Sequence, residues 1–584
     1  MNTEWNLDNI YTSVDSKEFL SDFEEYKRLI KKLNMWCNDN FKSTCDAAYK
    51  LEKYIKYKNE IMSYDKMIIY VNLAQSTDTA NEKLAKAIDM LENAAAETAY
   101  QDTAIVEFVK RIDNLDKIIE QSEILIEHSF YLHEILDRGS HTLSAKEEEL
   151  IRRMKNTGSL LWEKQWNQLS SNLTIDYNGE ELTLSEIRNL AYDKSANVRK
   201  SAYEAEIAAY SKIEQPCAFC INGIKGEVIT LSEMRNYKSP LEMTLKESRI
   251  DFGILNAMFS AIDEKLEEIQ KYFLIKAKAL GHKGALPFYD LFAPVAENSR
   301  IYSVEEARDF VLKCFYKFSA DLGNFAKGAF EKRWLDLMPK KGKVGGAYCE
   351  TIHSLNESRI LANFGGAFDD VITIAHELGH GFHNTRLFNL SEINSFYPMP
   401  IAETASTFCE GIVVNEALKE AEETEKINIL ESDIMGLTQC IIDIYSRFLF
   451  EDSVFNERKM GTLSSDELNN LMINAQKRAY GKGLDEEYLH KYMWVCKPHY
   501  YDSEFNYYNF PYAFGALLSK GLYSIYCEKG ENFLPVYDKF LSVSSTMPLN
   551  KVAEIAGIDL YSREFWVRGL EEIIREIDEL DKML

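Results

Sequence analysis

The sequence predicts a mostly α protein, a large multi-helix body with a small β-sheet beside one functional helix. Three observations carry that expectation. Residues 1–138 hold neither Gly nor Pro, the residues that most often end a helix, and the first of each are Gly139 and Pro216. Stretches such as 79–113 are rich in Ala, Leu, Glu and Lys, with apolar residues at helical spacing. The clearest alternating or glycine-punctuated runs stand at 173–184 and 341–370. At 584 residues and 46% hydrophobic composition the chain is long enough to bury a large core.

In chain order, the first third is expected to form an antiparallel helical array. LTIDYNGEELTL at 173–184 interrupts it, since Asn178-Gly179 between two alternating runs signals a two-residue hairpin turn. A boundary just after it, near 195, leaves an N-terminal helical lobe at 1–195 and a second region at 196–584. Helices resume at 196–233 and 254–281, and Pro, Gly and aromatic residues thicken over 282–297. KGKVGGAYCE (341–350) and SRILANFGGAFDD (358–370) suggest short strands with glycine turns. Such strands offer either an edge to which an extended peptide adds by β-augmentation or a purely structural sheet.

The chemistry is concentrated in DDVITIAHELGHGFHN at 369–384. Asp369 and Asp370 suit the first turn of a helix, where carboxylates match the dipole. His376 and His380 then share one face with Cβ atoms roughly 5–6 Å apart, so both imidazoles reach one ion at about 2.0–2.1 Å. Glu377, turned off that face, is placed to meet a water rather than the ion and suits a general base. A catalytic zinc takes three protein ligands. PIAETASTFCE (400–410) predicts a second helix, with Glu403 as the third ligand. Glu410, two turns on, is positioned to accept a hydrogen bond from a ligand His Nδ1–H. His383 is expected to be a buried polar neighbour, and Arg386 stands where the longer metzincin motif has its third His.

PHYYDSEFNYYNFPYAFG (498–515) gathers His499, Tyr500, Tyr501, Tyr507, Tyr508 and Tyr512. Its Gly, Pro, Asn and Asp content suits a loop more than a helix. Such a segment is either aromatic core or a source of donors to the oxyanion of a tetrahedral intermediate. The net charge of −26 argues against a nucleic-acid partner and favours cationic substrates in an acidic cleft. The first residues lack a basic segment followed by an apolar one, and no apolar run reaches about 18 residues, so neither a leader nor a membrane-spanning helix is expected. Ten scattered cysteines fit reduced thiols in a cytoplasm, and Cys217 and Cys220 form the one CxxC, either buried thiols or a redox or metal pair.

Taken together these segments resemble oligoendopeptidase F, within the thimet oligopeptidase family of zinc metallopeptidases. The resemblance runs over most of the chain: WNLDNIY (5–11), RNYKSPLEMTL (235–245), YDLFAPV (289–295), GGAY (345–348), ANFGG followed by HELGH, AETAS (402–406), HYY (499–501) and PYAFG (511–515). It implies a zincin-type body with a deep central substrate channel that admits short unfolded peptides and excludes folded proteins. It implies a zinc metalloendopeptidase whose catalytic region is 196–584, with one Zn2+ held by His376, His380 and Glu403 and with Glu377 as base. It also implies His499 and a downstream tyrosine as transition-state stabilisers, Tyr508 ahead of Tyr512, with Tyr501 behind them. Oligopeptides are the expected partners, and monomer and homo-oligomer both stay open. A metallocarboxypeptidase with a similar cleft, or a peptide-binding protein without activity, are the other readings.

Overall fold

The computed structural model describes residues 2–295 and 300–584. Helices dominate, and the Gly- and Pro-free start is built of them: Lys17–Asn40, Ala47–Met62, Lys66–Ser76, Glu82–Ala95 and Ala99–Val109 lead the series. The stretch 79–113 is thus two helices joined by a 3-10 turn, the first capped by the Asn81 side chain accepting from the Lys83 and Leu84 N–H groups. Their apolar stripes bury Phe19, Leu33, Leu51, Tyr54 and Phe108 in one core.

The hairpin forms where Asn-Gly places it. Strands β1 (Thr174–Tyr177) and β2 (Glu180–Thr183) pair antiparallel, and Asn178 (φ 56°) and Gly179 (φ 84°) both take the left-handed conformation a type I′ turn requires. The run at 196–233 divides into helices Ala196–Tyr210 and Glu214–Met234, and the next long helix spans Phe252–Ala279. A second core joins this part to distant chain, with Trp166, Tyr210 and Cys217 packed alongside Trp494 and Tyr501. Residues 282–295 are irregular around a 3-10 turn at Phe288–Asp290, and 296–297 of the aromatic-rich stretch lie outside the described residues.

The small sheet contains three strands, β3 (Leu335–Asp336), β4 (Tyr348–Ile352) and β5 (Glu357–Leu361), in the order β3-β5-β4. β4 runs antiparallel to β5 and β3 parallel to it, so β4 is an edge strand. Ile352 and Leu361 bury into the N-terminal core, and the buried Arg359 donates to the Asn6 carbonyl and the Asn9 side chain. The sheet therefore fastens the N-terminal helices to the rest.

Three helices then build the centre: α1 (Phe368–Thr385), α2 (Met399–Glu420) and α3 (Phe510–Lys529). Asp370 starts α1 by accepting from the Gly365 and Ala367 N–H groups. Pro400 and Pro511 sit in the first turns of α2 and α3, where a missing N–H costs no helical hydrogen bond. The loop expected over 498–515 contains a 3-10 turn at Pro498–Tyr501 and ends at Asn509, and residues 510–515 belong to α3. No helix among the described residues is long and apolar enough to cross a membrane.

Candidate active site

Among the described residues one group of side chains is arranged to hold a metal ion: His376, His380 and Glu403. The two Nε2 atoms lie 3.1 Å apart, and Glu403 Oε2 stands 3.4 Å from His376 Nε2 and 3.8 Å from His380 Nε2. Tetrahedral bonds of about 2.0–2.1 Å separate neighbouring donors by roughly 3.3–3.4 Å, so the triangle is the size a zinc-like ion needs. The donor types, two imidazoles and a carboxylate, suit the same ion.

Two glycines let these helices meet. A Cβ on Gly379, between the two histidines, would lie 2.7 Å from Ser406 Cα and 2.8 Å from the Ala405 carbonyl oxygen. A Cβ on Gly515 would lie 2.7 Å from Glu403 Cβ. The missing side chains allow α2 to lie against α1 and α3 against α2, which brings Glu403 up to the histidines. Ser406, one turn beyond Glu403, donates to its carboxylate at 3.3 Å and fixes its rotamer.

Around the triangle the electrostatics divide the groups by role. Glu410 accepts a hydrogen bond from His376 Nδ1, which turns Nε2 toward the site. Burial opposes a charge on His376, yet Glu403 and Glu410 hold its pKa well above 6.5 in the metal-free protein. His380 is pushed down to about 4, by burial and then by His376. Glu377 is 5% exposed, and burial lifts it to about 7. His383 is fully buried, bonded through Nε2 to Ser544 Oγ at 2.8 Å and stacked on Tyr397. It is a packed polar neighbour of the site.

All of this opens into a cavity of about 1140 Å³. Its wall includes β4, the helices that carry the three donor residues, and Asp65, Ile68 and Asn72 from the N-terminal segment. Eight carboxylate side chains line it against Lys520 as the one Lys or Arg among the described lining residues, and Lys520 is itself paired with Asp433 and Glu576. The wall thus carries more acidic than basic groups before any metal enters, although burial lifts Glu350, Glu377 and Glu392 toward their neutral forms.

The aromatic segment is split by the fold. Tyr512, in the first turn of α3, lines the cavity, and its hydroxyl lies 3.2 Å from that of Tyr508. Tyr508 and His499 are not on the wall. His499 sits beside Tyr500, its Nε2 has no hydrogen-bond partner among the described residues, and burial with Arg447, Lys497 and Lys225 holds it neutral. Tyr501 is fully buried and stacked on Trp166, and Tyr507 is buried with its hydroxyl donating to Asp452 at 3.0 Å. Cys217 and Cys220 are buried in the core that holds Tyr501, and burial raises both thiols.

Sequence reasoning missed Ser406 and the packing role of both glycines, although the AETAS, HELGH and PYAFG segments contain them. It also missed Asn384, one further turn along the stripe that begins at His376 and His380. Asn384 donates to Thr351 of β4 and accepts from the Tyr397 hydroxyl at 2.7 Å.

The architecture has solved counterparts. A structure of a putative peptidase from Chlamydophila abortus superposes with a TM-score of 0.83 at 21% identity, covering 100% of this chain and 98% of that one. Oligoendopeptidase-F from Enterococcus faecium gives a TM-score of 0.71 at 18% identity over 97% of this chain and 99% of its own. Relatives by sequence include oligopeptidase PepF of Bacillus subtilis (strain 168), 25% identical over 99% of this chain and 87% of that protein. An oligoendopeptidase F homolog of Lactococcus lactis subsp. lactis (strain IL1403) is 24% identical over 99% of this chain and 97% of its own. The two solved structures share the fold of this chain. Residues 189–572 match the profile of peptidase family M3 and 112–174 that of oligopeptidase F, and the chain belongs to peptidase family M3.

Proposed function

We propose that this peptidase is a zinc-dependent endopeptidase that cuts internal bonds of short unfolded peptides and that it works in the cytoplasm. The observation that carries the reading is the donor triangle of His376, His380 and Glu403 in a cavity that also presents Glu377 and the edge of β4. The ten cysteines, all free, support the compartment.

His376, His380 and Glu403 would hold the zinc ion, which when bound would supply Lewis acidity and a more acidic water. Glu377 accepts the proton of the attacking water and returns it to the departing amine. Glu410 keeps His376 in the tautomer that presents Nε2. The edge of β4 takes the substrate backbone through N–H and C=O groups, which holds many sequences alike. Tyr512, which lines the cavity with Tyr508 behind it, donates to the oxyanion as charge develops, while His499, off the cavity wall, is not placed to donate to the same oxygen. Residues 1–195 act as a lobe that closes one wall of the cavity, and 196–584 carry the catalytic groups.

A ladder of internally quenched peptides with blocked C-termini, run beside a folded protein with and without chelator, tests the reading. Expected are internal cuts in short peptides, loss of cutting with chelator, recovery on adding zinc, and an intact folded protein. Undiminished cutting with chelator would overturn the metal assignment, and blocked peptides left whole would hand the chain to a carboxypeptidase mode.

A further inference from the structure

Tyr507 is held in a left-handed backbone conformation, φ 52°, that a bulky side chain rarely takes. It sits next to Tyr508, whose hydroxyl meets that of Tyr512, and such outliers persist only where their surroundings over-determine them. The surroundings here are specific. Glu451 Oε2 accepts the Tyr507 N–H at 3.0 Å, and Glu451 Oε1 pairs with Lys225 Nζ at 2.7 Å. Lys225 also donates to Asn506 Oδ1 at 2.9 Å, while Thr244 donates to the Asn506 carbonyl at 3.0 Å. Lys225 and Glu451 side chains are 0% and 2% exposed. On the other side, Arg447 donates to Asn509 Oδ1 at 3.0 Å.

Residues 506, 507 and 509 are thus each held by a side chain from helices Glu214–Met234 and Ile444–Arg458, Lys225 and Glu451 buried and Arg447 partly so, while Tyr508 between them meets Tyr512 through its hydroxyl. A buried ion pair is a poor way to gain stability, since apolar residues of the same shape serve as well or better. Its value lies in what its remaining oxygen holds. We infer that the Lys225–Glu451 pair is a positioning device, which pins the Tyr507 N–H through Glu451 Oε2 and so aims Tyr508 and Tyr512 at the reacting carbonyl.

This rests on the proposed role of the two tyrosines, so the experiment separates the two. Lys225→Met/Glu451→Gln removes both buried charges and keeps an amide oxygen to accept the Tyr507 N–H. Lys225→Met/Glu451→Leu removes the charges and the acceptor. Both are compared with wild type and with Tyr512→Phe for kcat, KM, bound zinc and thermal stability. The expected result is kcat within about threefold of wild type for the Gln variant. For the Leu variant kcat falls at least about tenfold, with KM and zinc content unchanged, as for a displaced oxyanion donor. Rescue by Gln over Leu at equal thermal stability is a readout that a merely structural pair does not give. If Tyr512→Phe loses kcat while the Gln and Leu variants have equal kcat, the positioning inference is overturned and the tyrosine reading stands. If Tyr512→Phe keeps full kcat, the tyrosine reading falls and the inference with it.

Discussion

Gly379→Ala is the substitution whose outcome follows most directly from the packing of α1 on α2. The added methyl would start 2.7 Å from Ser406 Cα and 2.8 Å from the Ala405 carbonyl oxygen, both backbone atoms that no rotamer change can move. Ordinary carbon contacts need about 3.5–4.0 Å, so the helices must part by about 0.7–1.3 Å there. Overpacking of this kind costs about 1–3 kcal/mol, against a gain of about 0.5–1 kcal/mol for Ala over Gly inside a helix. A net loss of up to about 2.5 kcal/mol in the metal-free protein, centred near about 1 kcal/mol, follows from those two terms. The sharper effect is on the donor triangle, because Ala405 and Ser406 follow Glu403 on the same helical turn. An outward shift of a third of a bond length or more moves one of three ligands off the ion, and metal affinity should fall at least as far as on loss of a supporting partner, about 10–100-fold. Zinc titration with a competing chelator, and denaturant unfolding of the metal-free protein, measure the two effects. Gly328→Ala is the control, since nothing lies within 4 Å of the place its new methyl would take and it should be neutral or stabilising. Wild-type zinc affinity in Gly379→Ala would refute the claim that close approach at this glycine places Glu403.

Four further outcomes are expected. Glu377→Gln should bind zinc as wild type does yet lose nearly all turnover, and substantial cutting by a zinc-replete sample would remove Glu377 as base. Glu410→Gln should weaken zinc binding about 10–100-fold by losing the partner that orients His376; an unchanged affinity in the same chelator titration counts against that role. Glu392 is lifted from 4.5 to about 8 by burial and by Asp65, so between those pH values the folded protein keeps a proton that the unfolded chain has lost. Stability from this group is present below pH 4.5 and is lost as pH rises toward 8, so the advantage of Glu392→Gln in unfolding experiments should grow over that window; equal differences at pH 5 and pH 8 would sink the assignment. Because acidic side chains outnumber basic ones on the cavity wall even with Glu350, Glu377 and Glu392 lifted toward neutrality, lysine-containing peptides should show a lower KM than glutamate-containing ones of equal length, with the gap narrowing as salt rises.

What the sequence made legible was what one or two local elements determine. HExxH needs a single helix to put two histidines together, and Glu403 needs only a second helix to follow, so spacing alone reached the donor triangle. Asn178-Gly179 fixed the hairpin because the turn's φ angles belong to those two residues. The two-residue strand β3 is too short for alternation to show. Pro511 looked like a breaker because its effect depends on whether it falls inside a helix or in the first turn, and that is set by where the chain before it is clamped. Gly379 and Gly515 were visible in their motifs, but what each must not touch belongs to another helix. The acidic wall draws on residues as far apart as Asp65, Glu392 and Asp433, which only the tertiary fold assembles.

The position of β4 shows how these levels join. Its side chains alternate, so Ile352 faces the core of the N-terminal helices, while Thr351 reaches Asn384 at the end of the His376–His380 stripe. Cys349, on the same face as Thr351, approaches Gly381 of α1. The strand is thereby held from one side by the N-terminal helices and from the other by the helix that carries the histidines. Under the proposed function, a peptide laid along its free edge would take its height above the donor triangle from Asn384 and Gly381, not from contacts of its own. Many sequences would then be cut at one fixed distance from that triangle.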